Sequence, residues 1–177
     1  CTRGGSGRPP RCGDLITNLD VDSPDDPVEA AERFLQRSVR NGVHSACGRT
    51  VPDDNDTDWY PVEISRDGIR PGTLYADPYG HLLIVAKWWP QSFEEYGVLL
   101  AADAQPDATV GRRRFWRGSF LFTPSTDDVG AGFKSYRPLV RDGDGYRQLT
   151  NEELASHPDF APYSTEMYQG TADDFYD

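Results

Sequence analysis

Between residues 28 and 39 the apolar positions Val28, Ala31, Leu35 and Val39 recur three or four residues apart, the spacing of one helical face. Asp26 has the side chain of an N-cap, Pro27 suits the first helical position, and Glu29 stands at capping-box spacing from Asp26. Asn41-Gly42 supplies a left-handed stop. The pattern predicts a helix over 27–41. Before it, residues 1–25 are broken by Gly4, Gly5, Gly7, Pro9 and Pro10, so only Leu15 to Val21 suggest a short strand or packed loop.

Further along, the pattern turns to strands. Pro61 to Ile64 reads as a short strand, and Arg70-Pro71-Gly72 as a turn. Thr73-Leu74-Tyr75, His81 to Trp89, Gly97 to Ala102 and Arg114 to Phe122 are β-prone runs, separated by the turns Asp77-Pro78-Tyr79-Gly80 and Ala104-Gln105-Pro106-Asp107. Such short connections predict antiparallel hairpins. Phe133 to Val140 suggests an edge strand, Asp142-Gly143-Asp144-Gly145 a tight turn, and Thr150 with Glu153 the capping box of a short helix. The expected fold class is α+β: an N-terminal helix packed on an antiparallel β-sheet, in a single domain over 1–177 with an irregular segment 1–25 and an aromatic, acidic tail 158–177.

Composition narrows the partners. The net charge of −11 argues against nucleic acid, because phosphate contacts need clustered Lys and Arg. The one basic run, Arg112-Arg113-Arg114 with Arg117, reads as a solvated strand edge or a partner contact. No stretch approaches the ~20 apolar residues of a membrane span, and no signal peptide is visible. The three cysteines, Cys1, Cys12 and Cys47, cannot all pair within the chain, and their spacing fits no zinc site. Asp54, Asp56 and Asp58 alternate like the start of a calcium loop, but Trp59 stands where glycine is needed and Ser65 where the bidentate acid belongs. No metal and no cofactor is expected. Trp59, Trp88, Trp89 and Trp116 suit either a ligand groove or a core.

His81 is the first candidate for chemistry. It opens the most hydrophobic strand directly after a turn, where an imidazole can serve as a base near neutral pH or simply bond the turn. In a hairpin of 81–89 with 97–102, Asp103 falls beside His81. Its carboxylate would fix the imidazole tautomer, or cap the Gln105-Pro106 turn. A thiol beside the imidazole would complete a nucleophilic site.

The segment Arg70-Pro71-Gly72-Thr73-Leu74-Tyr75 to Gly80-His81-Leu82-Leu83-Ile84-Val85 resembles the Pro-Gly-Asp…Gly-His-Val-x-Ile-Val block of NlpC/P60-like cysteine peptidases. The step from His81 to Asp103 is more similar to the transglutaminase-like core, where a strand-opening His precedes an Asp ending the next strand. Both belong to the papain-like superfamily, with its chain order of Cys, His and a polar third residue. The chain also resembles bacterial proteins that carry Cys-Ser/Thr-Arg-Gly upstream of Tyr-Ala-Asp-Pro-Tyr-Gly-His. That resemblance ranks Cys1 first as nucleophile, Cys12 second and Cys47 third. It implies a cysteine hydrolase or acyltransferase, a thiol peptidase, amidase or transglutaminase-like enzyme, acting on a peptide or amide substrate through Cys1, His81 and Asp103. It departs from the family at the cysteine, which there opens a buried helix. The alternative is a non-catalytic binding module of the same fold. In that case Cys1 would suit the lipid-anchored start of a bacterial lipoprotein with an extracytoplasmic location.

Overall fold

The computed structural model describes residues 25–39, 45–76, 81–95, 97–105, 107, 109–115 and 130–169. The expected elements at Leu15 to Val21, Asn41-Gly42, 77–80 and 116–122 lie outside these, as do Cys1 and Cys12. The architecture is α+β, mostly antiparallel strands with little helix.

Helix α1 runs Pro27–Arg33 and continues as a π-helical turn, Phe34–Val39. Asp26 caps it as expected, its carboxylate accepting from the Val28 N–H at 2.8 Å. Glu29 does not reach back to complete a capping box; it reaches forward to Arg33 at 2.7 Å. The expected packing of this helix on the sheet is not seen. None of its residues is buried, and Val28 and Leu35 are 66% and 57% exposed. A stripe of four aliphatic side chains, one of them alanine, offers little area against the charged side chains that flank it.

The main sheet is six-stranded, in the order β1-β6-β2-β3-β4-β5. Its strands are β1 (Trp59–Pro61), β2 (Leu74–Ala76), β3 (Leu82–Trp89), β4 (Val98–Ala104), β5 (Val110–Phe115) and β6 (Gly132–Tyr136). Three expectations shift. β1 begins at Trp59 rather than Pro61, and Val62 instead makes an isolated bridge to Tyr163. β5 begins at Val110, four residues earlier than the aromatic run suggests, so that Arg112 to Arg114 lie inside it. The segment expected as an edge strand becomes β6, hydrogen-bonded between β1 and β2, while Leu139 joins a separate hairpin, β7 (Leu139–Asp142) with β8 (Gly145–Gln148). Gly143, at φ 59, makes the turn of that hairpin. The capping box of Thr150 and Glu153 forms as expected on α2 (Asn151–Leu154).

Strand alternation gives the sheet two unlike faces. One carries Tyr60, Val62, Phe133, Tyr75, Leu83, Val85 and Ala101 and is covered by Leu149, Leu154, Ala161 and Met167, which together form the core. On the reverse face Lys134 is fully buried, its ammonium donating to the Thr50 carbonyl at 2.9 Å and the Thr50 hydroxyl at 2.8 Å. Burial pushes its pKa down to about 7. The Thr50 N–H in turn donates to the Gly130 carbonyl at 3.1 Å.

Gly130 sits at φ 67 with the Thr50 backbone against the place a Cβ would occupy. Gly130→Ala is expected to lose about 1–2 kcal/mol from the left-handed backbone alone, and the steric conflict adds to it. Thermal denaturation reads this as a fall in Tm of ~2–4 °C per kcal/mol; an unchanged Tm would show that the loop relaxes freely.

Candidate active site

The β3–β4 register decides where the chemistry sits. Leu83 pairs with Asp103, so Asp103 shares the core-side face with Leu83 and with His81, two residues before it. β4 runs on to Ala104, which places Asp103 inside the strand rather than after it. Its side chain is only 2% exposed, whereas that of His81 is 54% exposed. The His81 Nδ1 lies 3.8 Å from the Asp103 Oδ2. That is an ion-pair distance for a protonated ring and somewhat long for a hydrogen bond.

Two other donors meet the same oxygen. Gln105 Nε2 donates to Oδ2 at 2.6 Å, and Arg113 donates to it from its NH2 nitrogen at 3.3 Å. Asp103 thus bonds the side chain of Gln105, two residues on, and has the imidazole 3.8 Å away, beyond hydrogen-bond distance. The Gln105 and Arg113 donors offset the cost of burying this side chain. Residue-type reasoning missed Arg113 and Gln105. The signal for Arg113 was present, because Ala101 pairs with Arg113 and strand parity then sets Arg113 on the Asp103 face, with Arg112 and Arg114 on the other.

Comparison with family models, with curated proteins and with solved structures gives no match. The reading of the site therefore rests on its own chemistry.

Of the candidate nucleophiles, Cys47 lies in a 3₁₀ turn, Ser45–Gly48. Gly48 packs against the Leu82 and Ala76 side chains. These two pair with each other on the reverse face, opposite the one that presents Asp103. The Cys47 turn is thus near the same end of the β2–β3 hairpin as His81 but on its far side. The structure brings His81 and Asp103 together, and the turn that carries Cys47 packs through Gly48 against the opposite face of the hairpin.

The other candidates have structural roles. In the acidic loop, the Asp54 carboxylate accepts from the Asp56 N–H at 2.8 Å and Asp58 accepts from Gln148 Nε2 at 3.0 Å. The loop's carbonyls, those of Asp54 and Thr57, accept from Arg137. Among the described residues no group of three or more His, Cys, Asp or Glu side chains is placed to hold a metal, and no helix is long and apolar enough to cross a membrane. The tryptophans do not act as one set. Trp59 is buried with its ring 4.0 Å from that of Tyr136, Trp88 donates to the Ile69 carbonyl at 2.6 Å, and Trp89 is half exposed beneath the Lys87 ammonium at 4.8 Å. The ring of His157 lies 4.6 Å from that of Phe160, tilted against it, and its Nδ1 accepts from the Asp159 N–H.

Proposed function

We propose that this protein is a cysteine hydrolase or acyltransferase acting on a peptide or amide bond, with Cys1 as nucleophile, His81 as base and Asp103 as the group that orients the base. The observation that carries it is the exposed His81 ring standing 3.8 Å over a buried carboxylate at the end of a sheet. A solvent-accessible imidazole can exchange protons, while a carboxylate fixed beneath it sets its tautomer and stabilises its charged form. The packing of the Cys47 turn on the reverse face speaks against Cys47, and the order of Cys1 ahead of Cys12 rests on the sequence resemblance.

In this reading the thiol proton passes to His81, and the thiolate attacks the acyl carbon. The C–N bond then breaks, and the amine leaves with the proton from His81. Water, or an acceptor amine in a transfer reaction, cleaves the thioester while His81 takes its proton, and the thiol is restored. The same reading takes the antiparallel hairpin β3–β4 as part of a papain-like core of the NlpC/P60-like or transglutaminase-like kind. The exposed α1 departs from that core, in which the nucleophile opens a buried helix.

The test is the rate of iodoacetamide labelling at each cysteine from pH 5 to 10, followed by peptide mass spectrometry, in the wild type and in His81→Ala. One cysteine is expected to react with an apparent pKa well below the free-thiol value of ~8.5. His81→Ala is expected to slow that reaction at pH 7 by at least ~10-fold, because an unassisted thiol is only a few per cent thiolate at that pH. If all three cysteines titrate as free thiols and His81→Ala changes nothing, the enzyme reading fails and a binding module is left.

A further inference from the structure

The geometry points to Arg113 as the binding group for a carboxylate on the substrate, so that the site takes acyl compounds with a negative charge a few bonds from the scissile amide. This rests on the thiol-enzyme reading for its reaction, though not for the binding it predicts. Arg113 and His81 flank a single atom, the buried Asp103 Oδ2, at 3.3 Å and 3.8 Å. The Arg113 side chain is 56% exposed, and the contact with Asp103 engages its NH2 nitrogen. A guanidinium has five donors in a planar fork. One edge of this fork can hold Asp103 while another meets a ligand carboxylate in the paired geometry that such forks favour.

Two further observations set the sign of the ligand. Asp103 is buried, and the two exposed groups that flank it are a guanidinium and an imidazole, so a ligand carboxylate meets no exposed anion at this oxygen. Arg112 and Arg114 are exposed on the same strand but stand on the face opposite Asp103, so Arg113 is the one guanidinium of these three on the His81 side. On a protein of net charge −11 an exposed guanidinium offers a small anion a local point of attraction. An acyl group whose carboxylate rests on Arg113 would have its reactive carbon held toward the imidazole, because both groups lie within 4 Å of the same oxygen.

Iodoacetate and iodoacetamide are matched probes, differing in one carboxylate. At the cysteine whose reactivity depends on His81, the iodoacetate-to-iodoacetamide rate ratio is expected to fall about tenfold in Arg113→Gln, the size of one lost charge-assisted pair. Arg113→Lys, which keeps the charge and loses the fork, should retain part of the preference. Because the ratio is taken within one protein, a general loss of reactivity cancels. An unchanged ratio in Arg113→Gln overturns the proposal while leaving the thiol site intact. If no cysteine depends on His81, the enzyme reading has failed, and the subsite is read separately from the His81 ring NMR signals under titration with N-acetylglycinate and with neutral N-acetylglycinamide. Perturbation by the carboxylate alone, abolished in Arg113→Gln, upholds the binding group; equal perturbation by both compounds, or by neither, overturns it.

Discussion

Arg137→Ala is expected to lower the free energy of unfolding by about 3–5 kcal/mol, the range for removing one partner of a buried charged network. Arg137 is buried, and its guanidinium satisfies four acceptors from two distant stretches of the chain. It donates to the Thr57 carbonyl at 2.8 Å, the Leu149 carbonyl at 2.7 Å, the Asp54 carbonyl at 3.1 Å and the Asn151 Oδ1 at 2.8 Å. Its charge also lies over the Tyr60 ring at 5.6 Å. Alanine would leave these acceptors without their donor, and a buried acceptor left unmade costs about 1–3 kcal/mol. Lysine cannot rescue the site, because an ammonium cannot span acceptors that a planar fork reaches together. Urea unfolding, with the midpoint and slope compared across wild type, Arg137→Ala and Arg137→Lys, reads the effect. A loss below ~1 kcal/mol in the alanine variant would show that water replaces the guanidinium at little cost.

The second large effect is a pH dependence. Lys134 has its pKa pushed down by burial to about 7, against an ordinary value of 10.5. In this window the unfolded chain binds the proton more readily than the folded one, so stability rises with pH. The penalty is complete below about pH 7, and it is relieved as pH climbs toward the unfolded value. One pKa unit corresponds to ~1.4 kcal/mol, so the gain across the window is on the order of several kcal/mol. Burial also raises the pKa values of Tyr60, Tyr136 and Tyr163, and their contribution has the opposite sign above pH 10. The measurement is therefore confined to pH 7–9.5. Urea unfolding of the wild type should show increasing stability there, and Lys134→Met should flatten the trend. A wild type that is flat or declining in this range would mean that the two Thr50 contacts hold the ammonium charged.

The contrast between what could be read from the chain and what could not follows sequence distance. The pairing of His81 with Asp103 was legible because β3 and β4 are neighbours joined by a short connection, and a two-residue period fixes which side chains share a face. The caps of α1 and α2 were legible for the same local reason, through Asp26 and Thr150. Glu29 escaped because Arg33 offered it a competing partner one turn ahead. The place of β6 was not legible, since nothing in Gly132 to Tyr136 records that its partners are Trp59–Pro61 and Leu74–Ala76. Lys134 and Arg137 look like ordinary surface cations in the sequence. Their burial follows only from the insertion of β6 into the centre of the sheet and from the distant carbonyls that meet them.

That insertion also imposes an order in time. The strands β2, β3, β4 and β5 pair with their sequence neighbours, so they can form as a meander while the chain is still being made. β1 emerges earlier than any of them, yet its strand partner among the described residues, β6, emerges last of the six. Until residues 132–136 arrive, β2 has a bare edge and β1 has nowhere to go. Closing such a long loop is slow, and an open strand edge invites pairing with another chain. A nascent chain halted before Gly132 would hold a four-stranded meander with a sticky flank, so the hazard in making this protein lies in the interval between β5 and β6.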